Sequence, residues 1–93
     1  MSSGKTTLRL TRHAHTKIAQ RDISVESIRA VVSAPECEQT DKLDSSLTHF
    51  IGKVGERPLR VIGRWESKDV LLVVSAFYDR RLRRREEDDK DQL

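Results

Sequence analysis

Three side chains at four-residue spacing, His13, Lys17 and Arg21, are the first candidates for chemistry in this sequence. Residues four apart lie above one another on a helix, so the spacing predicts a histidine, an ammonium and a guanidinium in a row. Metal-independent RNA cleavage needs such a set, because a base must deprotonate the attacking 2′-hydroxyl while cations stabilise the phosphate. A solvated basic helix face that pairs with nearby carboxylates is the alternative interpretation.

A second candidate set lies on the predicted strands. Arg60 and Arg64 flank Ile62 on one strand face, which places the guanidinium groups about 13 Å apart at roughly 3.3 Å per residue. His49 lies on a neighbouring strand, and Tyr78 ends the most apolar one. Such arginines can contact phosphates, although solvent-facing arginines on a sheet are also ordinary. Both interpretations stay open at this point.

The spacing of histidine and cysteine indicates no metal site. His13 and His15 are two residues apart, so on a helix they point about 200° apart and cannot share one ion. Cys37 is the only cysteine, which excludes an intrachain disulfide and a zinc site built from several cysteines. The sequence also lacks a glycine-rich phosphate loop and the motif of a serine hydrolase. We therefore expect neither a metal nor a cofactor.

The first of two predicted helices should carry His13, Lys17 and Arg21. Thr11 is a good N-cap for a helix over residues 12–20, in which Ala14 and Ile18 continue an apolar repeat of four. Ser24 caps a second helix, which ends before Pro35 because the residue preceding a proline leaves helical geometry. Residues 6–10 alternate in polarity, as in a short edge strand or an extended lead-in.

The remainder of the chain has the period of strands. Strands are predicted at residues 37–40, 47–54, 59–65 and 70–78, with a turn at residues 55–58. The last strand is the most apolar, which indicates a central strand covered on both faces, with Val73 deeply buried. We therefore predict an α+β fold in which two N-terminal helices pack on a three- to four-stranded antiparallel sheet.

Length and composition limit the remaining classes. At 93 residues and 10.7 kDa the chain should form one domain, which we place at residues 6–80. No apolar stretch approaches the roughly 20 residues of a membrane span, and the first residues lack the apolar core of a secretory signal. A cytoplasmic protein is expected.

Charge is distributed unevenly along the chain. The net charge is +3, from 18 basic and 15 acidic residues, which is mild for a nucleic-acid-binding protein. Only four residues are aromatic, so a stacking surface for single-stranded bases is poorly supplied. Residues 81–93 contain a basic block followed by an acidic block, which we interpret as a charged, disordered tail, with an RNA- or partner-binding arm as the alternative.

The segment HAHTKIAQRDIS, residues 13–24, resembles the opening of the small bacterial family called domain of unknown function 4258. Later segments are similar too, namely GKVG at 52–55, LRVI at 59–62 and VVSAF at 73–77. The layout also resembles that of BrnT-type and RelE-type toxins, which are helix-helix-sheet domains that cut RNA without a metal and are silenced by an antitoxin. The resemblance implies a ribonuclease toxin or an inactive relative of one.

The resemblance also implies roles for single residues. His13 matches the family's histidine, Lys17 stands where the family commonly has arginine, and Arg21 matches the second basic position. Arg60 falls on the strand that bears a basic residue in such toxins, and Ser75 takes the place of a serine or threonine near the end of the last strand. The chain lacks the Lys-His pair with which BrnT-like proteins enter their second helix.

Two functions from different classes follow. The first is a toxin-like RNA-binding protein of a toxin–antitoxin-type system that acts as a metal-independent endoribonuclease. Its catalytic residues would be His13, Arg21 and Arg60, and its substrate-binding residues Lys17, Arg64, Ser75 and Tyr78. RNA and a small acidic antitoxin-like protein are the expected partners, a membrane is not, and self-association stays open. The alternative is a non-enzymatic module that binds a protein through its sheet edge and helix face.

Overall fold

The computed structural model describes residues 6–79, which form an α+β fold with two helices and a mixed five-stranded sheet. In chain order the elements are β1 (Thr7–Leu10), α1 (Arg12–Gln20), α2 (Val25–Ser33), β2 (Cys37–Thr40), β3 (Thr48–Val54), β4 (Arg57–Ser67) and β5 (Val70–Tyr78). The strand order is β1-β5-β4-β3-β2, with β1 parallel to β5 and every other pair antiparallel. The predicted helices on a sheet are confirmed. The sheet has more strands than predicted, and it is mixed where an antiparallel sheet was predicted.

Side-chain caps explain where both helices begin. The Thr11 hydroxyl accepts a 3.0 Å hydrogen bond from the Ala14 amide, and the Ser24 hydroxyl accepts one of the same length from the Ser27 amide. Each bond satisfies an amide that has no partner inside its helix. Between the helices, Asp22 adopts a left-handed backbone with φ of 57°, which allows a short connection.

Both helices pack on the same face of the sheet and bury one apolar core there. The fully enclosed side chains of this core include Ile28, Phe50, Leu59, Val61, Leu71 and Val73. Successive residues of a strand point to opposite faces of the sheet. The strand residues that alternate with the core residues therefore lie on the face that no described helix covers. We call this second face the open face. Both described helices lie on one face of β5, which was predicted to be covered on both faces, and the predicted burial of Val73 is confirmed.

The sheet contains one strand more than the upper predicted number, because the segment that begins the described chain pairs with the one that ends it. Thr7 is the partner of Val70 and Leu10 that of Val73, and the Thr7 amide donates to the Asp69 carbonyl at 2.7 Å. The sequence left this segment open between an edge strand and a lead-in. A parallel partner some sixty residues away leaves no mark in the local pattern.

A two-residue turn joins β3 to β4, and it is shorter than the predicted four-residue turn. Val54 pairs with Arg57, so only Gly55 and Glu56 lie outside the ladder. Gly55 has φ of +65°, the left-handed value that a tight hairpin turn requires at its first central position. Pro58 is consequently part of β4, and the hairpin register is set by this turn.

The single domain predicted at residues 6–80 and the charged tail predicted at residues 81–93 extend past the described part of the chain. Residue 80 and the whole of the predicted tail lie outside the described residues, so the tail stays a prediction.

Candidate nucleic-acid interface on the open face

Strand register brings several candidate residues together on the open face. Paired residues of neighbouring strands share a face, so the register defines two rows that cross the sheet. One row is Gln39, His49, Ile62 and Ser75, and the other is Cys37, Ile51, Arg60 and Phe77. Arg60 therefore lies next to Phe77 in its own row and next to His49 in the neighbouring row.

Arg60 is held from two sides. Its Nε donates a 2.9 Å hydrogen bond to Asp79 Oδ2, and its Nη1 donates a 2.8 Å bond to His49 Nδ1. The side chains of Arg60 and Asp79 are only 11% and 3% exposed, so this ion pair is largely removed from water. A guanidinium has five N–H donors, and these two bonds use two of them. The ion pair with Asp79 fixes the Arg60 cation at the surface of the sheet. Because the side chain is already ordered, ligand binding costs little further side-chain entropy.

The contacts of His49 define its tautomer. Arginine can only donate, so His49 Nδ1 must accept from Arg60 and must carry no proton. The proton of the neutral ring is then on Nε2, which lies 2.7 Å from Asp41 Oδ1 and donates to it. Both ring nitrogens are thus engaged in a chain that runs from Asp41 through His49 and Arg60 to Asp79.

The loop of residues 41–46 is shaped by its own aspartates. Asp41 Oδ2 accepts from the amides of Leu43 and Asp44 at 3.0 and 2.9 Å, and Asp44 Oδ1 accepts from the amide and hydroxyl of Ser46. The hydrogen bond from His49, followed by the backbone amides, lowers the pKa of Asp41 below its usual value. The Ser46 donors lower the pKa of Asp44 in the same way, and the charge of Arg64 adds to this. Both carboxylates therefore stay ionised near neutral pH.

A groove of about 480 Å³ lies between this loop and the open face. Residues 39–43 line one side, and His49, Arg60 and Phe77 line the other. We call it the Arg60 groove. It combines a fixed guanidinium, an aromatic ring and the exposed side chain of Lys42, and the Leu43 side chain beside it is 98% exposed. Only Leu43 and Phe77 are apolar among its eight lining residues, so the groove offers polar and charged contacts beside one aromatic ring.

Arg21 reaches the edge of the sheet close to this groove. It follows α1 and donates from Nη1 to the Ala76 carbonyl of β5 at 2.9 Å. Its guanidinium carbon lies 5.9 Å from the centroid of the Phe77 ring, within the range of a cation–π contact. Because Phe77 pairs with Arg60, the two arginines predicted as phosphate contacts lie on either side of one aromatic residue.

The other predicted site residues divide between the two sides of the sheet. Arg64 and Ser75 lie on the open face with Arg60. Tyr78 is on the helix side, where it packs against the core and the Arg57 guanidinium lies 3.7 Å from its ring centroid.

His13 and Lys17 belong to α1, also on the helix side. Their neighbours Ala14 and Ile18 face the core, and the His13 side chain is exposed. The open face therefore holds Arg60 without His13, although the enzyme hypothesis requires the two to be near one another. Their catalytic and binding roles stay predictions, and the structure places His49 beside Arg60.

Sequence reasoning did not assign roles to Asp41, His49, Phe77 or Asp79. His49 was noticed on its strand, but its contact with Arg60 follows from the register. One signal in the sequence could have pointed to the ion pair of Arg60 with Asp79. Asp79 is a carboxylate that directly follows the apolar run of β5, and a carboxylate buried at such a place, as the structure shows it to be, usually needs a cationic partner.

Two further findings concern residues 6–79 only. No three side chains of His, Cys, Asp or Glu in this range come together in a way that could hold a metal ion. Neither helix in it has the length and apolar character needed to cross a membrane.

Comparison of the chain with protein-family models, with curated proteins and with solved structures gives no match. The resemblance to the domain of unknown function 4258 family and to BrnT-type and RelE-type toxins accordingly stays a prediction.

Proposed function

We propose that this chain is a cytoplasmic, toxin-type RNA-binding protein that cleaves RNA without a metal ion. The observation that carries the proposal is the fixation of Arg60 by Asp79 and His49 at the wall of a groove. A guanidinium held in this way presents its remaining donors to a phosphate in a defined geometry. Arg64, farther along the same strand face, supplies a second cation for the RNA backbone.

His49 is the histidine that this geometry makes available for proton transfer. A phosphate bound at the remaining donors of Arg60 also competes with His49 for Nη1, and loss of that hydrogen bond frees the lone pair on His49 Nδ1 while Asp79 still holds Arg60 Nε. That nitrogen then accepts the 2′-hydroxyl proton while the 2′-oxygen bonds to phosphorus and the 5′-oxygen departs with a proton from water. Asp41, hydrogen-bonded to Nε2–H, holds the ring in this tautomer and stabilises the imidazolium that forms.

Cleavage of several RNAs in the presence of EDTA tests this proposal. The wild-type protein should leave 2′,3′-cyclic phosphate ends without a metal ion, because the nucleophile of the first step is the ribose 2′-hydroxyl and not water. His49→Ala should lower the rate by roughly 10²–10⁴-fold, the usual contribution of a positioned proton-transfer group. Asp41→Asn, which keeps the side-chain shape, should lower the rate by less.

His13→Ala is the matched control, since His13 is an exposed histidine on the other side of the sheet. It should cleave like the wild type. A large loss in His13→Ala with none in His49→Ala would return the proton-transfer role to His13, as the family resemblance implies. No cleavage by a wild-type protein freed of bound partners would contradict the enzymatic part of the proposal.

Two exposed features favour the second candidate, a protein-interaction module. All four residues of β2 are exposed at the edge of the sheet, and Leu43 presents an almost fully exposed apolar side chain beside them. An edge strand can pair with a strand of another protein. An antitoxin-like partner of the RNA-binding protein would use the same surface, so protein binding at β2 does not separate the two candidates. Absence of RNA binding by the wild type would favour the interaction module.

A further inference from the structure

The Arg60 groove has the chemistry of a nucleotide site rather than of a simple phosphate site. Its volume of about 480 Å³ falls within the range of small-molecule pockets, roughly 300–1,000 Å³. A bare phosphate would fill only a small part of it. Phe77 adds an aromatic surface next to Arg60, and the two residues are direct cross-strand partners.

We propose that the Arg60 groove binds one nucleotide of a single-stranded RNA, with its phosphate at Arg60 and Lys42 and its base on Phe77. This inference rests on the proposed function and names the substrate unit that the groove accepts. Side chains of cross-strand partners begin about 5 Å apart, so Arg60 and Phe77 are neighbours on one wall of the groove and one nucleotide can contact both. Arg21, on the edge of β5, lies within cation–π range of the same ring and helps to hold it in place.

The charges around the groove explain why Lys42 is needed. Asp79 lies against Arg60 and neutralises part of its charge, and Asp41 adds a carboxylate at the rim. His49 Nδ1 accepts from Arg60, so the ring adds no positive charge in this arrangement. The exposed ammonium of Lys42 then balances the second carboxylate and is the cation that faces a phosphate from the loop.

The requirement for single-stranded RNA follows from the stacking contact with Phe77. A base reaches Phe77 only after it leaves its neighbours in a stack, which single-stranded RNA allows and a duplex resists. The Arg60 groove lies along one loop and offers contacts for one nucleotide. Recognition of duplex RNA instead requires contacts that extend across a groove of the RNA helix.

Fluorescence anisotropy with labelled 2′-O-methyl hexauridylate and hexaadenylate tests the inference, because these probes bind but cannot be cleaved. Phe77→Leu keeps an apolar side chain and should weaken binding roughly 5- to 150-fold, the effect of losing one base–aromatic stack. Lys42→Ala should weaken binding and reduce the salt dependence by about one phosphate contact. Circular dichroism establishes that each variant is folded.

Lys53→Ala is the matched control, because Lys53 is an exposed lysine of β3 that does not line the groove. It should bind like the wild type. Wild-type protein that binds neither probe would overturn the proposed function as a whole. RNA binding that persists in Lys42→Ala and Phe77→Leu but is lost in Lys53→Ala or Arg64→Ala would overturn only the groove. Competition by duplex RNA as effective as that by single strands would overturn the single-strand requirement.

Discussion

Replacement of Arg60 by methionine should destabilise the protein far more than the same change at Arg64. Arg60→Met keeps most of the aliphatic volume but takes the guanidinium away from Asp79, whose side chain is only 3% exposed. Loss of one partner from a buried ion pair costs roughly 3–5 kcal/mol. We expect the lower end, about 3 kcal/mol, because Asp79 has a further interaction besides the one with Arg60.

This loss is large enough for routine measurement. In a domain of this size each 1 kcal/mol shifts the melting temperature by about 4–8 °C, so Arg60→Met should melt roughly 12–24 °C below the wild type. Urea unfolding gives the free energy directly, with an unchanged dependence on urea concentration as the sign that both states keep their compactness. Arg60→Lys retains the charge but not the planar guanidinium that bonds to Asp79 and His49 together. Its melting temperature should therefore lie between those of the wild type and Arg60→Met.

Arg64→Met is the control, since Arg64 is an exposed arginine of the same strand and face. Its free energy of unfolding should stay within about 0.5 kcal/mol of the wild type. Equal losses in the two variants would refute the reasoning, because they would show that the contacts of Arg60 with Asp79 and His49 contribute no more than a solvated side chain does.

Two other predictions concern the sheet and the loop. Gly63→Ala should cost about 1–3 kcal/mol in thermal unfolding, because its Cβ would lie 2.9 Å from the Leu72 carbonyl oxygen, a backbone atom that cannot move easily. Gly52→Ala, whose Cβ would meet a Val31 methyl group at 3.3 Å, should cost less, and equal melting temperatures would contradict the difference. The pKa of Asp41 is lowered in the folded protein, so its hydrogen bonds add stability that is complete above the unfolded pKa of about 3.9 and lost as the pH falls through the folded value. The stability difference between the wild type and Asp41→Asn should therefore shrink below about pH 4, and a difference independent of pH would show that the carboxylate charge is not what matters.

The parts of the fold that were predicted correctly depend on local signals. Thr11 and Ser24 mark helix starts because their hydroxyl groups act on amides three residues away. The alternation around Arg60 likewise shows which residues share a strand face. Distant partners leave no such mark, which is why residues 6–10 stayed open between an edge strand and an extended lead-in.

The candidate site depends on register, which the sequence did not provide. With a four-residue turn between β3 and β4, His49 would pair with Arg64, whereas the two-residue turn at Gly55 pairs it with Ile62. Only the observed register brings Arg60 within hydrogen-bonding distance of His49. The residue types for phosphate chemistry could be identified from the sequence, but which histidine accompanies which arginine could not.

The parallel pairing of β1 with β5 has a consequence for synthesis on the ribosome. Thr7 is made before its partner Val70, which follows some sixty residues later, about 3–12 s at usual elongation rates. The antiparallel strands β2 to β5 need only nearby partners, whereas β1 must wait with its backbone unpaired until β5 is complete. Of the described strands, the one translated first is thus the last to join the sheet, and during that delay the nascent chain exposes an edge that a chaperone or a second nascent chain can bind.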